Sequence, residues 1–324
     1  EAMLAIEKGN KELENTLPIV YAKSGLSDDK LDRLFELFST IDIGGKQNEM
    51  KDVLGSVFEY FLGEFATEEG KKAGQFYTPR SVVNLMVKLL RPTGNCRIYD
   101  PCCGSGGMFV MSEKWLRQCG NDMNNITFFG QESNPTTWRL AKMNMKIRQL
   151  NVKLGEMPAD TFIENQHAKQ KVDFILANPP FNMSHWGREK LLKDPRWEYG
   201  TPPKGNSNYA WLQHMIAHLD DDGIAAIILS NGSLSAKSVE AEIRQGIIDA
   251  DLLDCVIALP DKLFLNTAVP CSLWILNKDK ARKNLRNRRG ETLFIDCKTM
   301  GSMKELPDGK ISRKQRELSE KEQA

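Results

Sequence analysis

No apolar stretch in the 324 residues approaches the roughly 18 that cross a bilayer, and the opening Glu1-Ala2-Met3-Leu4 carries no basic region ahead of an apolar core. Neither a membrane span nor a secretory leader is expected, and the default address is cytoplasmic. Charge of one sign is also scarce: 44 Lys and Arg face 43 Asp and Glu, a net charge of +1. A protein that grips nucleic acid unaided neutralises phosphates with a clear basic surface, so any DNA contact here is expected to be local or shared with a partner. The seven cysteines have neither zinc-site spacing nor the pairing of a secreted disulfide framework, and read as reduced thiols. The serines lack a G-x-S-x-G elbow, and His214 and His218, four apart, lack a third ligand or a zincin Glu. No metal and no nucleophile is expected, and the two histidines read as partly exposed packing residues. There is no internal repeat.

What is present, 41% hydrophobic and 27% charged residues, allows one large core and a smaller domain. Residues 1–70 show helical spacing, as in Leu31, Leu34, Phe35 and Phe38, then Val53, Leu54, Val57, Phe58, Phe61 and Leu62, broken at Gly44-Gly45. A small helical domain is expected there. From about 72 onward, short apolar runs alternate with helical patterns, the signature of a parallel α/β sheet covered on both faces. Strands are expected at 96–100, 127–130, 152–154, 172–177, 223–229, 252–259 and 269–276, with helices near 81–90, 107–119, 135–149, 208–219 and 235–249. The stretch 182–207, rich in Gly and Pro with Trp186 and Trp197, reads as a substrate-facing lid. Lys278 to Arg289 is densely basic and reads either as a solvated loop or as a local DNA contact. Both ends read as cut from a longer polypeptide, with Ser319-Glu320-Lys321-Glu322 a capping box whose helix has few residues left.

Asn178-Pro179-Pro180-Phe181 directly follows the apolar run 172–177, at the carboxyl end of a strand, where open α/β sheets bind ligands. An amide oxygen and a proline carbonyl can accept both hydrogens of an exocyclic amine while an aromatic face stacks on a planar base. A plain Pro-Pro turn is the alternative. Upstream, Asp100-Pro101-Cys102-Cys103-Gly104-Ser105-Gly106-Gly107 runs from a strand through a glycine turn into a helix. It matches neither the dinucleotide fingerprint nor a P-loop, and an acid at the strand tip disfavours a pyrophosphate. Asp100 suits a cationic or hydroxyl-rich ligand, such as the amino-acid end of S-adenosylmethionine, or else it caps the turn. Glu132, at the tip of the next strand, is the ribose candidate. Asp160 could accept from an adenine amine, with Phe162 flanking the ring, though a surface turn explains that segment as well. Thr78 and Pro79 could simply start a helix.

Together, Phe76-Tyr77-Thr78-Pro79, the Asp100–Gly107 block and Asn178-Pro179-Pro180-Phe181, in that order, resemble the N6-adenine DNA methyltransferases, in particular the methylation (M) subunits of type I restriction-modification systems. Leu259-Pro260, Phe264, Thr267 and Pro270 look like a late block of that family. The resemblance implies a Rossmann-like class I methyltransferase sheet of seven strands, the last antiparallel, with a helical N-terminal domain over 1–70, the catalytic domain over 71–300 and the start of a C-terminal tail over 301–324. It implies S-adenosylmethionine as cofactor, held by Phe76, Tyr77, Thr78, Pro79, Asp100, Gly104, Ser105, Gly106, Gly107, Glu132 and Asp160. Asn178, Pro179, Pro180 and Phe181 would act on a flipped adenine, with Phe264 on its other face. The implied partners are DNA, a specificity subunit serving two M subunits, and a restriction subunit. Glutamine or rRNA methyltransferases sharing the Asn-Pro-Pro-aromatic motif, and a catalytically silent cofactor-binding scaffold, are the rival readings.

Overall fold

The computed structural model describes residues 2–14, 16–17, 27–39, 78–264, 269–282, 285–306 and 313–323. Within the expected helical domain these include helices α1 (Ala2–Gly9) and α2 (Asp28–Ser39); the periodic run Val53 to Leu62 lies outside the described residues.

The remainder alternates strand and helix: α3 (Arg80–Leu90), β1 (Arg97–Asp100), α4 (Gly107–Gln118), β2 (Thr127–Gly130), α5 (Pro135–Ile147), β3 (Val152–Lys153), β4 (Val172–Ala177), α6 (Asn208–His218), β5 (Leu219–Ser230), α7 (Gly232–Ser235), α8 (Val239–Asp249), β6 (Leu253–Ala258), β7 (Cys271–Asn277) and β8 (Leu293–Asp296), then a hairpin of β9 (Ser302–Leu306) and β10 (Arg313–Glu317). The main sheet has the order β3-β2-β1-β4-β5-β7-β6-β8. β7 runs antiparallel between β5 and β6, as the resemblance implies, and β8 adds an unforeseen eighth strand parallel to β6.

Strand alternation divides the core into two layers. Ile98, Phe128, Phe174 and Leu176 face one, with Val82, Met86, Phe109 and Leu116 of α3 and α4. Tyr99, Phe129, Ile175 and Ala177 face the other, with Tyr209, Leu212 and Ile216 of α6. Because successive strand side chains point to opposite faces, a strand covered on both sides must be apolar at nearly every position, which is why 172–177 reads as a continuous run.

The strand order reverses between β1 and β4, each neighbour of β1 lying on a different side, so a crevice opens at their carboxyl ends. Asp100 ends β1 and Asn178 follows β4, on the two lips of that crevice.

The segment 182–207, expected as a substrate-facing lid, is packed onto the core. Trp186 and Trp197 are buried in the second core layer; Trp186 Nε1 donates to the Pro203 carbonyl at 3.0 Å and Arg188 Nε to the Pro202 carbonyl at 2.7 Å. Large indole surfaces removed from water hold in place what its Gly and Pro content marks as mobile.

His214 and His218 are fully buried rather than partly exposed, on a helix where only Ala217 is partly exposed. The basic run is tied down as well. Lys280 Nζ meets Asp251 Oδ1 at 2.5 Å and the Glu291 carbonyl at 2.8 Å, while Arg288 grips Asp254 through two bonds of 3.0 and 2.8 Å. Since Asn277 of β7 pairs with Ile224 at the start of the parallel stretch of β5, the run emerges at the amino ends of the strands. That is the edge opposite Asp100 and Asn178. The capping box at Ser319 forms, with Glu322 accepting from the Ser319 N–H at 2.8 Å, and Leu318 is buried in the first core layer.

Candidate active site

The glycine turn after β1 is built by its backbone. Gly104 and Gly106 have φ of +55° and +89°, a region costly for residues with a Cβ. A Cβ on Gly104 would meet open space, whereas one on Gly106 would lie 2.6 Å from Met145 Cε. Gly104 is therefore a place where a ligand can approach the main chain; Gly106 is also required for packing. The Ser105 carbonyl accepts from Asn144 Nδ2 at 2.8 Å, a buried α5 buttress the sequence did not flag. Gly107 opens α4.

Asp100, 2% exposed, accepts from the Cys102 N–H at 3.0 Å, so it does cap the turn. Burial pushes its carboxyl up to about 7, Glu132 adds to the rise, and the hydrogen bonds from Cys102 oppose it. Glu132 accepts from the Gly104 N–H at 3.1 Å and the Asn134 N–H at 2.7 Å, binding the tip of β2 to the glycine turn; burial still raises its pKa. The Cys102 and Cys103 thiols are pushed well up, chiefly by burial, which leaves them unreactive.

Asp160 is exposed and uses Oδ1 to cap the Phe162 and Ile163 N–H groups at 2.8 and 3.2 Å, the geometry of a surface turn. Phe162 does not flank a ligand: it is 1% exposed, with its ring against Trp186, Trp197 and Trp211.

Across the crevice, Asn178 Nδ2 donates to Thr78 Oγ1 at 2.9 Å. That bond joins the start of α3 to the end of β4, residues 100 apart in sequence. Asn178 Oδ1 is buried and has no hydrogen-bond partner among the described residues, as is true of Asn231 Oδ1 just past β5. A buried acceptor left unpaired costs about 1–3 kcal/mol, which a donor brought by a ligand would recover. Pro179 is buried, Pro180 exposed, and Pro79 precedes α3 as its cap. Phe181 meets Phe264 edge to face, centroids 6.0 Å apart at 89°. Phe264 is 4% exposed, so its ring reaches a base only after moving. Phe76, Tyr77 and Thr267 lie outside the described residues.

The structure thus brings Thr78 to Asn178, Asp100 and Glu132 to the glycine turn, and Phe181 to Phe264. The sequence profile of the family described as N-6 DNA Methylase matches residues 49–324. The chain belongs to the N-6 DNA methylase family. This methylase is 47% identical over 313 residues to the type I restriction enzyme HindI methylase subunit of Haemophilus influenzae, covering 94% of the chain and 69% of the relative. It is 40% identical to the MjaIX methylase subunit of Methanocaldococcus jannaschii, covering 97% of the chain and 55% of that protein. Its fold matches the crystal structure of a type I restriction-modification methyltransferase subunit from Streptococcus thermophilus with a TM-score of 0.82 and 29% identity, over 99% of this chain and 67% of that one. The central sheet is therefore the class I methyltransferase sheet of type I M subunits.

Proposed function

We propose that this methylase transfers a methyl group from S-adenosylmethionine to N6 of an adenine flipped out of DNA, as the modification subunit of a type I restriction-modification assembly. The observation that carries the reading is Asn178 Oδ1, a buried acceptor with no partner among the described residues, on an amide whose Nδ2 is taken by Thr78.

The residues present fit the cofactor. Asp100 is a buried carboxyl whose pKa is raised, a place where a ligand ammonium relieves the electrostatic penalty. Gly104 offers open space above its Cα, and Glu132 Oε2, which accepts from Gly104, keeps lone-pair capacity for a ribose hydroxyl. Thr78 and Pro79 would border the methionine end and Asp160 the adenine. When bound, the cofactor supplies an electrophilic methyl.

Asn178 Oδ1 and the Pro179 carbonyl would accept the two N6 hydrogens. This draws the nitrogen toward tetrahedral geometry and localises a lone pair otherwise delocalised into the ring; the proton lost afterwards passes to solvent. Phe181 would stack on the extruded base. Alignment and fixed dipoles then provide most of the rate, without a general base at the start. A specificity subunit would read the DNA target for two such chains, with a restriction subunit completing the assembly.

The first test is calorimetric titration with S-adenosylmethionine of the wild type, Asp100→Ala and Asn178→Ala. Saturable binding is expected in the wild type, lost in Asp100→Ala and retained in Asn178→Ala, whose methyl transfer to DNA is abolished. Retained turnover in Asn178→Ala would overturn the assignment.

A further inference from the structure

Behind the Asn-Pro-Pro-Phe segment lies a buried polar cluster that none of the motifs contains. Asn182, the next residue after Phe181, has φ of +53°, a left-handed conformation that asparagine enters more readily than other residues with a side chain but still less readily than glycine. What holds it there is Asn208, the first residue of α6 and 0% exposed. Asn208 Oδ1 accepts from the Asn182 backbone N–H at 2.9 Å, and its Nδ2 donates to Asn182 Oδ1 at 2.9 Å and to Ser233 Oγ at 2.8 Å. Ser230 Oγ, at the end of β5, donates to the same Asn182 Oδ1 at 2.9 Å.

We propose that Asn208 is a positioning residue for methyl transfer, its amide locking Asn182 left-handed and so fixing where Phe181 and the two prolines stand relative to the target base. This role presupposes the methyltransferase reading above. A primary amide carries a donor and an acceptor side by side, and here both ends grip one residue, backbone and side chain together. Aspartate lacks the donor; leucine lacks both.

Ser233 is itself fixed, since the Tyr209 hydroxyl donates to its carbonyl at 2.7 Å and Arg244 of α8 donates to both at 3.1 and 3.0 Å. The amide therefore joins α6, the end of β5 and the start of α7 to the motif turn. The hydrogen bonds of Asn208 reach neither Asp100 nor Glu132, so the cofactor side is independent of it.

The test uses the full-length protein assembled with its specificity subunit, measuring tritiated methyl transfer to duplex DNA. Asn208→Ala is expected to lower kcat about 10²-fold, the effect of displacing aligned groups by about an ångström. The KM for S-adenosylmethionine should change by less than about twofold, because only the transition-state alignment is lost. Adding Asn182→Gly to Asn208→Ala is expected to recover about tenfold of the lost kcat, since glycine adopts the left-handed turn without a Cβ to oppose it. Unchanged kcat in Asn208→Ala, a parallel loss of cofactor affinity, or no recovery in the double variant would overturn the inference. Hydrogen exchange of the Asn182 amide needs no activity: it is expected to quicken in Asn208→Ala, and equal exchange overturns the clamp on its own. A wild type that transfers no methyl group would instead count against the function proposed above.

Discussion

Asn178 is anchored by Thr78 through one end of its amide and leaves the other end, Oδ1, without a partner among the described residues. With the hydroxyl accepting from Nδ2 at 2.9 Å, the amide's plane is tied to the start of α3. Thr78→Val, which keeps the shape and removes the acceptor, is expected to lower kcat about tenfold with unchanged cofactor affinity, the mark of an interaction felt only in the transition state. Thr78→Ser restores the hydroxyl and should restore the rate. Asp100 yields a pH prediction. Its carboxyl is held at about 7 against an ordinary 3.8, so the folded chain keeps a proton that the unfolded chain loses between those values. Asp100 therefore costs the fold stability as pH rises through that window. A cationic ligand, which requires the ionised form, binds less well as pH falls below about 7. Calorimetry should find affinity for S-adenosylmethionine weakening by up to about tenfold per pH unit on the acid side. In Asp100→Asn that dependence should vanish.

The segment 182–207 and α6 stabilise each other through Arg196. Its guanidinium donates to the Thr161 and Phe162 carbonyls at 3.2 and 2.6 Å, to Asp194, and to His214 Nδ1 at 3.0 Å. Because arginine only donates, His214 Nδ1 is the acceptor and its proton sits on Nε2, toward the Tyr99 hydroxyl 3.1 Å away. His218 accepts from Asn165 at Nε2, so its proton is on Nδ1, bonded to the His214 carbonyl at 2.7 Å. Both imidazoles are thus locked neutral. Burial is the largest cause of their lowered pKa values, His214 well below 6.5 and His218 at about 4. Below pH 6.5 the unfolded chain takes up protons that the fold refuses, so stability falls as pH drops from 6.5 toward 4. For His218 alone the loss between pH 7.5 and 5 is roughly 2 kcal/mol. Urea unfolding at the two pH values checks this, and His218→Gln should reduce the difference, leaving the share due to His214. A second element-scale link runs to Phe264. The Arg316 N–H of β10 donates to the Lys262 carbonyl at 2.9 Å and Gln315 Nε2 to the Leu263 carbonyl at 2.6 Å, so the hairpin holds the loop that carries this ring.

For the whole molecule, charge and topology set what the chain can do alone. The net charge is only +1, and the described part of the densest basic run is pinned at the amino ends of the strands, away from the crevice. The purified chain is expected to methylate DNA poorly or not at all, and to gain site-specific transfer on addition of a specificity subunit; efficient site-specific transfer by the chain alone would contradict this. Much of the frame was readable beforehand, because a strand buried on both faces must be apolar throughout and a helix must alternate at its own period. Hence 127–130 and 172–177 were placed to the residue and the helices to within a few. The turn chemistry of Asp100 to Gly107 and of Asn178 to Phe181 is likewise local, carried by residues a few positions apart. By contrast, β8 was missed because Leu293, Phe294 and Ile295 are exposed at the sheet edge and follow a basic run. The histidines were misjudged because burial depends on what packs over a side chain. Tyr99, Arg196 and Pro203 lie far from their partners in sequence or follow no local period. Sequence alone therefore determined most of the elements of the parallel sheet, the motif turns and the family resemblance, all short-range or periodic properties. Only the tertiary structure decided that Thr78 bonds Asn178, that Asn208 clamps Asn182 and that the basic run faces away from the crevice, because each depends on which distant segments the sheet order brings together.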